Sequence, residues 1–234
     1  MSTYVALHDS RPAPPAGSRK ERTPDDGTVR HRIDTAVFPE GGKRREVSTL
    51  AYIERELPSG GREQYLKDRK SGVRSFALWE DAHREKPWAR VVTLRPAAED
   101  GEARYEVRDP YGEPLAEIGR RRALTGGAVR TRWTVRQDGG TEAAGSRGRP
   151  FWWVVWWLLF PVQAAIVIGG LVAGGGDGAG MPRRTRFFAE GERVLDFRSG
   201  ELEAVTDGWD PRVLAAMIAL QDSYGGVAHA SWDA

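Results

Sequence analysis

The sequence predicts a mainly β chain, interrupted once by an apolar segment and closed by a helix. Three observations predict it. From about residue 45, short runs alternate polar and apolar residues between turn signals. In a chain with 29% charged residues, Phe151 to Val172 carries no charge at all. After Asp210-Pro211 comes a run that is apolar on every helical face.

Residues 1–44 hold Pro12, Pro14, Pro15 and Pro24 among Ser, Arg, Lys and Asp. So few apolar residues cannot offset the entropy of ordering, and a disordered tail is expected. Met1 to Pro15 lacks the basic-then-apolar pattern of a signal peptide. Strands are expected at Val47–Leu57, Val73–Trp79 and Ala89–Leu94. Tyr105 to Ile118 reads as a hairpin: Tyr105 and Val107 alternate with charged neighbours, and Asp109-Pro110-Tyr111-Gly112 has Pro and Gly at positions that turns favour. A second hairpin spans Arg132–Arg136, a turn at Gln137–Gly140, and Thr141–Ala144. Beyond the apolar segment, Gly174-Gly175-Gly176-Asp177-Gly178 reads as a linker. Strands resume at Thr185–Phe188, Arg193–Phe197 and Leu202–Thr206. This spacing suggests a meander in a sandwich or barrel.

The closing helix has Asp210 as N-cap and Pro211 at the first helical position. At about 12 residues it is too short to span a bilayer. Val213, Leu214, Met217 and Ile218 are therefore expected in a core surrounded by strands.

The apolar segment is the strongest signal. As a helix, Phe151 to Val172 would be roughly 33 Å long, one bilayer core. Trp152, Trp153, Trp156 and Trp157 cluster at one end, as an interfacial aromatic belt would, with Phe160, Ile166 and Ile168 as further lipid-contacting candidates. Arg147 and Arg149 precede the segment and Arg183, Arg184 and Arg186 follow it, as candidates for anionic headgroups. Basic residues on both sides leave the positive-inside rule without a winner, so a single crossing and a re-entrant segment both stay open. Arg120, Arg121 and Arg122, with Arg130, Arg132 and Arg136, read as a solvated hairpin edge whose charge prevents pairing between molecules. Headgroup contact is their alternative reading.

Little else points to chemistry. The formal charge of +2 gives no concentrated positive field for nucleic acid. There is no cysteine, and His8, His31, His83 and His229 have no metal-ligand spacing. No G-x-S-x-G, phosphate-loop or H-E-x-x-H pattern occurs. A non-catalytic protein without cofactor or metal is expected.

The hairpin Tyr105-Glu-Val-Arg-Asp-Pro-Tyr-Gly-Glu-Pro-Leu-Ala-Glu-Ile118 resembles the repeated hairpin of tubby C-terminal-like domains, a superfamily that includes LURP-one-related proteins and phospholipid scramblases. The ending Asp210 to Asp222 is similar to its closing helix. The resemblance implies a closed antiparallel β-barrel around that C-terminal hydrophobic helix, here with an inserted apolar membrane segment. It implies no catalytic residues, and no acidic calcium-binding run like that of scramblases is present. The expected organisation is a tail over 1–44, a tubby-like β-domain over 45–148 plus 183–225, the insertion and linker over 149–182, and a second tail over 226–234. The expected function is a membrane-associated, lipid-facing binding or tethering module, with the β-domain cytoplasmic and membrane lipid as partner. The alternatives are a scramblase-like lipid transporter, and a soluble binding barrel whose insertion packs on a protein partner.

Overall fold

The computed structural model describes residues 3–9, 27–37, 46–97, 101–123, 130–147, 184–198, 200–224 and 232–233. Twelve strands close into one antiparallel barrel, in which each strand pairs with its neighbours in sequence and β1 pairs with β12. The strands are β1 (Thr3–Asp9), β2 (His31–Val37), β3 (Glu46–Arg55), β4 (Phe76–Trp79), β5 (Pro87–Arg95) and β6 (Glu102–Arg108). They continue with β7 (Pro114–Arg121), β8 (Arg132–Gln137), β9 (Ala143–Arg147), β10 (Arg184–Ala189), β11 (Glu192–Arg198) and β12 (Glu201–Ala204). Helix α1 (Gly61–Lys70) lies between β3 and β4, and α2 (Pro211–Ser223) follows β12.

The alternation seen in the sequence becomes the two faces of the wall. On β6, Ala103, Tyr105 and Val107 point inward and are fully buried. On β7, Ala116 and Ile118 do the same, and their partners across the ladder on β8 are Gln137 and Val135. Each inward side chain packs toward α2, in which every residue from Val213 to Leu220 is buried. A barrel this wide needs an interior filling, and a helix apolar all round provides it. The expected core residues Val213, Leu214, Met217 and Ile218 all lie there.

Three stretches differ from expectation. The composition of residues 1–44 predicts a disordered tail, yet β1 and β2 form there, with Val5 and Ile33 fully buried. Their stability comes from pairing with β12 and β3, distant in sequence, which local composition does not register. The stretch 226–234 is also expected as a tail, yet Trp232 and Asp233 are buried against the barrel. Helix α1 is absent from the sequence-based expectation, because only its Tyr65 is buried and no apolar stripe marks it. The hairpin-edge reading of Arg120–Arg122, Arg132 and Arg136 is likewise corrected. β7 and β8 are paired on both sides in a closed barrel and have no edge.

The whole apolar segment, including Trp152, Trp153, Trp156, Trp157, Phe160, Ile166 and Ile168, lies outside the described residues. Among the described residues, no helix is long and apolar enough to cross a membrane.

Candidate ligand site at the basic end of the barrel

The register divides the barrel into two chemically different ends. Seven strands reach one end at an arginine: Arg55, Arg95, Arg121, Arg132, Arg147, Arg184 and Arg198. Only Asp9, Glu102 and Glu201 oppose them among the strand termini there. Exposed Arg62, Lys67 and Lys70 on α1 add to this end, against Glu63 and Asp68 on the same helix. At the other end, the described loops between β6 and β7, β8 and β9, β10 and β11, and β12 and α2 carry Asp109, Glu113, Asp138, Glu142, Glu190 and Asp207, with no lysine or arginine. Large exposed apolar residues do not distinguish the ends: Leu57, Leu66 and Leu94 lie at the basic end, Val47, Tyr111 and Phe188 at the other.

Helix α2 runs from the acidic end to the basic end. Its N-terminus is held by Gln137, whose amide donates to the Gly208 carbonyl (3.2 Å) and whose oxygen accepts from the Asp210 amide (2.9 Å). Its C-terminal carbonyls meet arginines, with Arg69 donating to the Ser223 carbonyl at 3.2 Å. Cations at this position complement the negative end of the helix dipole.

Two buried clusters fill the basic end. In the first, Tyr105 donates to the Gly72 carbonyl (2.6 Å), Tyr224 lies within hydrogen-bond reach of the same oxygen (3.1 Å), and the two hydroxyls touch. Gly72 has φ +89°, and a Cβ there would stand 3.1 Å from Ala97 Cβ, so glycine is required. The guanidiniums of Arg120 and Arg74 lie 3.9 and 4.4 Å from the centroid of the Tyr224 ring, a cation–π arrangement. Arg120 therefore faces inward; burial lowers its pKa from the usual value. Burial is also the main reason the Tyr105 hydroxyl is held well above its ordinary range.

The second cluster centres on Asp233. Its Oδ1 accepts from Tyr65 (2.6 Å) and from Arg55 Nε (2.9 Å). Its Oδ2 lies 3.3 Å from Arg69 Nε and 3.4 Å from Arg74 Nε. Burial, then the Asp233 charge, push the Tyr65 pKa far up and keep the phenol a donor.

The headgroup candidates divide. Arg149 and Arg183 lie outside the described residues, and Arg147 ends β9 at the basic end. Arg184 and Arg186 are committed to a neighbour. Arg184 Nε donates to Asp196 Oδ1 (3.0 Å), Arg186 Nε lies 3.7 Å from Oδ2, and Arg193 joins them at 3.4 Å. The hydrogen bond to Asp196 raises the Arg184 pKa. Arg122, Arg132 and Arg198 are exposed and make no ion pair among the described residues.

A groove of about 330 Å³ also opens on the outer wall over Gly119, where a Cβ would stand 2.4 Å from Thr134 Oγ1. Much of its charge is paired internally. Arg104 pairs with Glu102 (3.1 Å) and Glu117 (3.2 Å), and Arg121 pairs with Glu102 (2.7 Å). Arg132 also lines the groove and adds an exposed positive charge that is unpaired among the described residues. Among the described residues, no group of three or more His, Asp or Glu is placed to hold a metal ion.

Sequence reasoning missed Arg55, Tyr65, Arg69, Arg74, Trp232 and Asp233. The one signal for them was a tryptophan beside an acidic residue in a stretch otherwise read as tail. Compared with known proteins, this chain matches no protein-family model, no curated protein and no solved structure.

Proposed function

We propose that the protein is a membrane-associated, lipid-facing binding or tethering module. In this reading it attaches through Phe151 to Val172 and keeps its barrel on the cytoplasmic side. The observation that carries the reading is the pairing of β9 with β10, in which Thr185 lies opposite Arg147. These strands flank residues 148–183, so the segment leaves and rejoins the barrel side by side, at the basic end. A straight crossing by 151–172 would require residues 173–183 to recross. About eleven residues reach ~36–40 Å fully extended, just enough for a bilayer. That return would drag a glycine-rich backbone with Asp177 through hydrocarbon without hydrogen-bond partners. A re-entrant or interface-lying segment avoids this and places the arginine-rich end at the headgroups. Each basic residue there contributes on the order of 1 kcal/mol.

The tubby-like resemblance belongs to this proposal. A closed barrel around a C-terminal helix is the architecture it implies, although twelve strands alone do not mark that superfamily.

The test is to replace residues 148–183 with a short Asn-Gly turn and follow the protein through carbonate extraction. Because β9 and β10 are antiparallel neighbours, the variant should keep its melting transition and move to the soluble fraction. A variant that folds yet stays with the membrane pellet sinks the reading.

A further inference from the structure

The Asp233 cluster is assembled by parts of the chain that do not need Asp233 in order to form. Arg55 ends β3, Arg69 lies on α1, and Arg74 sits between α1 and β4. Arg74 is anchored without the carboxylate, since it donates to the carbonyls of Arg69 (2.9 Å) and Val73 (2.8 Å) and to Ser223 Oγ (3.2 Å). Arg69 is likewise held by the Ser223 carbonyl. Arg69 and Arg74 are thus prearranged around one point, Arg55 and Tyr65 reach it from β3 and α1, and Asp233 occupies it with its side chain fully buried.

The occupant arrives as a dipeptide. The Trp232 ring packs edge-on against Phe76 (centroids 4.7 Å apart) and His31 (5.6 Å). Its indole N–H donates to the Ala219 carbonyl (3.0 Å), and its own carbonyl accepts from Arg55 (3.0 Å). Three guanidiniums converge on one carboxylate. A carboxylate offers two oxygens and a single charge. A phosphate monoester offers three strong acceptor oxygens and a charge of about −1.5 to −2, a closer match to three forked donors.

We propose that Trp232–Asp233 is a resident pseudo-ligand, and that the site it fills, built from Arg55, Tyr65, Arg69 and Arg74, binds a phosphate monoester when the dipeptide withdraws. The dipeptide then acts as a built-in competitor. The apparent affinity for phosphate is the intrinsic affinity multiplied by the fraction of molecules in which the dipeptide is undocked, and variants that undock it gain that factor back. The site does not depend on how the barrel meets a membrane. It lies at the basic end, however, where either a soluble phosphorylated molecule or a lipid headgroup could supply the group.

Three full-length proteins test this by calorimetric titration with inorganic phosphate and with glycerol phosphate: wild type, Trp232→Ala/Asp233→Ala, and that double variant with Arg55→Gln and Arg69→Gln added. The double variant should bind about tenfold or more tightly than wild type, and the added glutamines should abolish the gain. A double variant with a cooperative melting transition and no gain in phosphate affinity overturns the proposal, leaving the dipeptide as a plain fastening. Asp233→Asn keeps the packing of the tail and covers the case in which the double variant fails to fold. Phosphate should raise its melting temperature more than that of wild type, and an equal or smaller rise also overturns the proposal. Flotation of the double variant with phosphatidylcholine vesicles containing phosphatidic acid or, at matched charge, phosphatidylserine identifies the source. A gain confined to phosphatidic acid supports a headgroup monoester. A gain for soluble phosphates alone supports a free ligand. No gain with either soluble phosphate or phosphatidic acid overturns the site.

Discussion

Asp210 shows how much a single residue contributes at the acidic end. Its carboxylate accepts from the Arg212 amide (2.8 Å) and forms a forked pair with the Arg212 guanidinium. Burial disfavours its charge, but the two kinds of hydrogen bond from Arg212 outweigh this and hold the pKa below the ordinary carboxylate range. A folded-state pKa depressed in this way adds stability that is complete above the unfolded value, near 3.9, and fades as pH falls through the folded value. Asp210→Ala should therefore cost about 1 kcal/mol at pH 7, and urea denaturation should show the gap to wild type narrowing below about pH 4. A gap independent of pH would mean that the cap acts without its charge. The cap was legible in the sequence because Asp-Pro before an apolar run is a local signal. The arginines around Asp233 were not, because Arg55 and Asp233 are 178 positions apart and nothing in either neighbourhood announces the other.

At the scale of elements, α2 and the β9–β10 pair carry the fold. Met217 is fully buried at the centre of α2. Met217→Asp would place an unpaired carboxylate in that core and should cost about 3 kcal/mol or more. An unchanged melting temperature would refute the placement of the helix. In β9, a Cβ on Gly145 would stand 2.6 Å from the Arg186 carbonyl of β10. Gly145→Ala must push the two strands apart and should cost about 1–3 kcal/mol, read as a lowered denaturation midpoint. The hairpin around Asp109-Pro110-Tyr111-Gly112 was legible residue by residue: Asp109 Oδ1 accepts from the Tyr111 and Glu113 amides (both 2.9 Å), and Gly112 adopts φ +93°. Helix α1 was not, since a polar helix held by one buried tyrosine leaves no periodic trace.

For the molecule as a whole, barrel closure constrains topology. Thr141 and Glu190 lie on either side of the insertion in sequence, yet the Thr141 hydroxyl and the Glu190 carboxylate are 3.3 Å apart and both residues are exposed. With no native thiol, cysteines placed singly at these positions report topology cleanly. In intact cells neither should react with an impermeant maleimide, and both should react after lysis. Reaction of one site alone in intact cells would show a single crossing and break the barrel with it.

The sequence by itself determined the β class, most strand positions, the cap and burial of α2, and the place of the apolar segment. All of these rest on local periodicity, turn chemistry and composition, which act within a few residues. Only the tertiary structure decided that β1 and β2 complete the wall, that the two flanks of the insertion are paired neighbours, and that one end of the barrel is basic. It also seated Asp233 among Arg55, Arg69 and Arg74. The physical reason is common to all four. Strand pairing and ion pairing are contacts between residues far apart in the chain. Their free energy depends on which partner closure brings near, and no local window contains that information.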